Sequence, residues 1–144
     1  MTRRPDQSRS DASAAVRAGV AYCVIVFAIG FCLGIVRVLV VVPRLGELAA
    51  VTLEAPIMLA ASWAVSLSCI RRFRIPAVPL PRLLMGVVAF ALLIGLEAAL
   101  SVLLFGWSMA DWLAQYRTVP GMIGLAAQGA FGLVPLVQAY RRLE

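Results

Sequence analysis

Residues 30–54 read GFCLGIVRVLVVVPRLGELAAVTLE, and the fold is decided by how this stretch is read. An apolar run carries Arg37 inside it, breaks at Pro43, and resumes past Glu47 with Glu54 inside a second apolar run. Arg37 is framed by Val, Ile and Leu, as in a helix that crosses a bilayer. A charge at such depth costs ~3 kcal/mol or more, so Arg37 and Glu54 are expected to face protein and to have partners there.

Working outward, the same apolar character repeats. Runs over about 18–42, 48–70, 83–105 and 121–140 each approach the ~20 residues needed to cross a ~30 Å hydrocarbon core. The chain has 144 residues, 62% of them hydrophobic and only 14% charged, with a mean hydropathy of +0.95. A water-soluble domain of that composition would expose large apolar patches, so part of the solvent must be lipid. The expected fold is all-α: an integral membrane four-helix bundle in one domain, residues 18–144, behind a polar tail over residues 1–17. The first run is too long for a signal-peptide core and reads as a retained span.

The basic residues orient the bundle. All 13 are arginine, with no lysine and no histidine. The tail carries Arg3, Arg4, Arg9 and Arg17, the middle loop Arg71, Arg72, Arg74 and Arg82, and the C-terminus Arg141 and Arg142. The other two loops have only Arg44 and Arg117. By the positive-inside rule both termini and the middle loop face the cytoplasm, as expected for a multi-pass protein of a bacterial inner membrane. Trp107, Trp112 and Tyr116 then gather at the outer interface, which suits their amphipathic rings. In SMADWLAQY, Ser108 is placed to cap a short interfacial helix with Met109, Trp112, Leu113 and Tyr116 on its apolar face. Pro76, Pro79 and Pro81 predict an extended middle loop. Pro56 leaves two readings of the second span: a helix kinked beside Glu54, or one that starts at Pro56 with Glu54 at its wet end.

Folding the spans up brings out a polar layer. Arg37, Glu54, Glu97 and Gln128 lie six, six, eight and eight residues from the outer boundaries, which is ~9–12 Å deep on all four helices. They share helix faces with small residues: Gly30 and Gly34 with Arg37, and Gly121, Gly124 and Gly132 with Gln128, leaving Ile123, Phe131 and Leu133 for lipid. Those five glycines are the expected helix-packing positions. Arg37 is expected to meet Glu54 or Glu97, since a guanidinium fork suits a carboxylate. Such a layer can simply fix register and partner choice. Alternatively, because one arginine cannot neutralise two carboxylates, it holds a site for a proton or cation. Glu47 and Arg44 read as a solvated pair in the outer turn.

Several chemistries find no footing. Cys23, Cys32 and Cys69 show no CxxC spacing, and without histidine the usual zinc sites have no ligands, so neither metal nor cofactor is expected. There is no phosphate-binding glycine loop, GxSxG or HExxH, and the serines in the spans have no histidine to activate them. An enzyme is therefore not expected. Nor is nucleic acid as a partner, because the positive charge sits at the ends of apolar runs without interleaved aromatics.

Over the segments GxxxGxxRVL (Gly30–Leu39), PRLGE (Pro43–Glu47) and EAPIM (Glu54–Met58), the chain resembles small four-span inner-membrane proteins of Gram-negative bacteria, a family without an assigned activity. The resemblance implies the four-span fold and carries no site over. The Gly30–Arg37 portion is also similar to the first helix of small fluoride channels, whose polar and phenylalanine-rich later segments this chain lacks. Two functions follow as expectations. One is a non-enzymatic accessory or assembly subunit, or a homo-oligomer, with the bilayer and a membrane protein as partners. The other is a small proton- or cation-coupled transporter or channel using Glu54 and Glu97.

Overall fold

A computed structural model describes residues 5–141 of the chain. Arg3, Arg4 and Arg142, counted above for orientation, lie outside the described residues. Helix α1 (Pro5–Val36) passes through a π-helical turn (Arg37–Val41) into the short α2 (Val42–Leu45). Then come α3 (Glu47–Arg72), α4 (Pro79–Leu103), the short α5 (Met109–Ala114) with a 3-10 turn (Gln115–Arg117), and α6 (Val119–Tyr140). Among the described residues there is no strand. Four rods, Arg9–Leu45, Glu47–Arg72, Pro79–Leu103 and Val119–Tyr140, are long and apolar enough to cross a membrane, the mark of a multi-pass membrane protein.

Proline placement explains the element boundaries, corrects two expectations and decides between two readings at a third position. Pro43 does not end the first rod. It has no N–H to give and its ring crowds the carbonyl one turn back, and the helix answers by widening into the π turn just before it. The Val42 N–H reaches back to the Arg37 carbonyl. The rod stops at Gly46, whose φ of +79° is a conformation that glycine adopts at no steric cost. Pro56 lies inside a continuous α3, so the span does not start at Pro56 and Glu54 is within the helix. Pro79 and Pro81 do not extend the middle loop. They occupy the first turn of α4, where a missing N–H costs nothing, and the loop shrinks to residues 73–78.

The polar tail over residues 1–17 is helical where it is described. From Pro5 onward it is helical without a break into the span. The reason lies in the run Ala12–Ala18, rich in a strong helix former, which lets Ala15 and Ala18 pack fully buried against the core.

The backbone of each of the four long helices packs closely against two neighbours. In order round the ring they are α1, α3, α6 and α4, so the diagonals are α1/α6 and α3/α4. The end of the bundle near the 73–78 loop is solid. There Ala15, Ala18, Tyr22, Cys23 and Val26 of α1 meet Cys69 and Ile70 of α3, Ile75 of the loop, and Met85, Ala89 and Leu93 of α4. Two backbone approaches make it possible. A Cβ on Gly19 would stand 2.7 Å from the Met85 carbonyl oxygen, and one on Gly86 would collide with the Gly132 carbonyl. Phe131, expected to face lipid, is instead only 3% exposed. It stacks on Tyr22 across the diagonal with ring centroids 4.4 Å apart, while the Tyr22 hydroxyl donates to the Phe131 carbonyl at 3.0 Å. Arg82, counted as a loop arginine, is buried as well. Its Nε donates to the Pro76 carbonyl at 3.0 Å and its Nη2 to the Ile75 carbonyl at 3.1 Å, which ties the loop across this end.

Candidate functional site

Beyond Val26 no residue of the first rod is buried. The four helices part there around a cavity of about 600 Å³, within the range that takes a drug-sized guest. Arg37, Glu54, Glu97 and Gln128 all line it, one from each rod. Ser62 and Phe131 line its deep end, and Trp112, Gln115 and Tyr116 line the other.

The four polar side chains form two pairs. Arg37 Nε stands 3.0 Å from Glu54 Oε2, so of the two carboxylates expected for it the arginine takes the one on the neighbouring α3. The π turn begins at Arg37 itself, so the altered winding shifts the chain that follows it toward α3. The Nε–H is not aligned on the carboxylate, so the pair is coulombic rather than a directed hydrogen bond. On the other side, Gln128 Nε2 donates to both carboxylate oxygens of Glu97, at 2.7 and 2.6 Å. A neutral amide lends Glu97 hydrogen bonds but no charge. Among the described residues no cationic side chain lies within ion-pair distance of Glu97.

The glycines divide between packing and making room. Gly132 packs, since a Cβ there would press on Phe90 at 3.1 Å. Gly30 lies close to the flexible end of Met58. Gly121 is close-packed too, but against the Gln115 carbonyl of the preceding turn rather than against another helix. For Gly34 and Gly124 the packing expectation is corrected, because a Cβ on either would meet nothing within 4 Å. Both line the cavity, and their missing side chains widen it.

The end wall comes from a short helix that holds itself together. The Ser108 hydroxyl accepts from the Asp111 N–H at 3.1 Å, and the Asp111 carboxylate accepts from the Ser108 N–H at 3.1 Å, a capping box. The Ser108 hydroxyl, and after it the Ser108 N–H, hold the Asp111 carboxyl below its ordinary value. Of the apolar face expected on this helix, Trp112 is 7% exposed, whereas Met109 and Leu113 are more than half exposed. Trp112 and Tyr116 meet edge to face, with centroids 5.3 Å apart. Burial, and behind it the Glu97 carboxylate, push the Tyr116 phenol up to about 12. The expected Arg44–Glu47 pair is replaced by a bond from Arg44 Nη1 to the Val40 carbonyl at 3.1 Å, and Glu47 sits on the cavity rim.

Sequence reasoning missed a second polar group outside the cavity. Gln138 is 2% exposed, takes a 2.8 Å bond from the Ser66 hydroxyl and donates to the Trp63 carbonyl at 3.0 Å. In the sequence it stands close to the terminal arginines with nothing local to mark it as buried; the available signal was the four-residue spacing of Ser62 and Ser66, which puts two hydroxyls on one buried stripe of α3. Cys23 and Cys69 are buried thiols and Cys32 is exposed, all three free. Among the described residues no three His, Cys, Asp or Glu side chains are grouped so as to hold a metal ion. Comparison with known protein families, with curated proteins and with solved structures finds no match for this chain.

Proposed function

We propose that this chain is a non-enzymatic, multi-pass protein of a bacterial inner membrane, with both termini cytoplasmic, that acts by receiving a guest in its half-bundle cavity. The observation that carries the reading is the convergence of Arg37, Glu54, Glu97 and Gln128, one from each long rod, on a single opening beside a solid half-bundle. Intramembrane ionisable groups are rare, and they mark ligand or ion pathways when they share a cavity. In this orientation the cavity belongs to the outer leaflet, and the tied 73–78 loop closes the cytoplasmic side. The accessory-subunit and homo-oligomer roles engage the outer faces, whereas the ionisable groups gather on the inner one.

Native mass spectrometry of the protein released from mild detergent tests the binding reading. A retained guest mass is expected in the wild type and is expected to be lost in Gly124→Leu, which fills the open side of α6 while leaving the packed corners intact. Identical spectra from the two, or no retained mass in either, would sink it.

One observation favours a second reading, coupling to a proton or cation: among the described residues Glu97 is hydrogen-bonded by the neutral Gln128 amide, and the Arg37 guanidinium stands beyond ion-pair distance. Proton or cation flux in proteoliposomes that Glu97→Gln abolishes in a folded protein would move the assignment from binding to transport.

A further inference from the structure

We propose that the guest is an organic cation with an apolar body, an ammonium or similar charge carried on hydrocarbon, seated with its charge at Glu97. The inference rests on the cavity-binding reading above and adds the chemical class of the guest.

Three features of the walls lead to it. The first is charge. Arg37 pairs with Glu54 at 3.0 Å and acts on Glu97 only at longer range, so one guanidinium serves two wall carboxylates, with Glu47 a third on the rim. A carboxylate in so apolar a setting selects strongly for a positive guest, because little water is present to screen it. The second is surface. Most of the wall is aliphatic or aromatic, with Phe27, Phe31, Trp112 and Tyr116 among its lining and Phe131 at the deep end. Aromatic faces bind organic cations, and they do so better when water is excluded. A small metal cation would need a cage of oxygen ligands instead, and the apolar lining offers no such cage.

The third feature is unmatched polar atoms. Trp112 Nε1, the Tyr116 hydroxyl and Gln128 Oε1 are buried without hydrogen-bond partners, and all three side chains line this cavity. A buried polar atom left unpaired costs roughly 1–3 kcal/mol. Three such atoms in one wall mark a surface that gains by meeting a polar group. Gln128 Oε1 can only accept, and it belongs to the amide that holds Glu97. An N–H donor next to the guest's positive charge would therefore satisfy both residues. Gly34 and Gly124 provide the width for the apolar body.

The test uses two ions of the same shape and opposite charge, tetraphenylphosphonium and tetraphenylborate. Equilibrium dialysis against the purified full chain in lipid nanodiscs would measure binding above that of empty discs. Saturable binding of the phosphonium, weakened about tenfold or more in Glu97→Gln and absent for the borate, is the expected result. Rescue of most of that loss by Glu97→Asp would tie it to the charge. If both ions bind alike and Gly124→Leu blocks both, the cation assignment is overturned while the cavity-binding reading stands. If neither ion binds saturably to wild-type protein that is folded by circular dichroism, both are overturned.

Discussion

At the residue scale the bundle separates glycines by what stands opposite them. Gly86 faces the Gly132 carbonyl and Gly34 faces open space. Gly86→Ala should therefore force α4 from α6 and cost roughly 1–3 kcal/mol in reversible unfolding from mixed micelles. Gly34→Ala should stay within about 0.5 kcal/mol of wild type, or gain through helix propensity. Equal losses at the two sites would contradict the division. The four polar residues of the cavity were visible in the sequence because each is an outlier in an apolar run. Their pairing was not, since whether Arg37 meets Glu54 or Glu97 depends on helix azimuth and on the local winding at the π turn. Arg82 and Gln138 were missed for a different reason. Polar residues near helix ends look like interface anchors, and only tertiary packing shows them buried.

At the element scale the prolines carry the consequences. Pro43 follows the π turn that starts at Arg37, and a regular helix there would turn the residues after Arg37, and with them the approach of α3, by up to ~100° relative to it. A double-mutant cycle of Arg37→Met and Glu54→Gln should give a coupling of about 0.5–3 kcal/mol in the wild-type background. The coupling should fall toward zero in Pro43→Ala, and an unchanged value would show that the π turn is incidental to the pair. The short helix α5 answers to pH. Its Asp111 carboxyl has a folded value below the unfolded one, near 4. The stability it gives the capping box is thus present above that unfolded value and is lost as pH falls through the folded one. Near-ultraviolet circular dichroism of the Trp112–Tyr116 pair should fade on that acid limb, and Ser108→Ala should show the faded signal already at neutral pH. A signal flat from pH 6 to pH 2 would mean that the rings are held by the bundle alone. Ser108 was legible as a cap because the signature is local. The first turn of α4 was not, since a proline run fits an extended loop and a helix start equally well.

For the whole molecule, the expected four-helix architecture followed from run length and spacing, which are one-dimensional properties. The uneven packing of the two ends did not, because it depends on which small residues stand opposite each other across helices. In a cysteine-free background, Ser101→Cys on the cavity wall should react with a membrane-impermeant thiol reagent added from the periplasmic side. Ser66→Cys, bonded to Gln138 in the solid half, should resist the reagent from either side. Labelling of the Ser101→Cys protein from the cytoplasmic side only would reverse the proposed orientation.

The order of helices round the ring also bears on biogenesis. Helices α3 and α4 leave the ribosome one after the other, joined by a six-residue connection, yet they stand across a diagonal and share no close backbone approach. As a newly inserted hairpin they have no mutual grip. Helix α1 can hold both from one side, but the other side stays open until α6, made after them, slides between them. A chain ending at residue 118 should therefore linger in the bilayer as a target for quality-control proteases, and a separately synthesised segment 119–144 should rescue it.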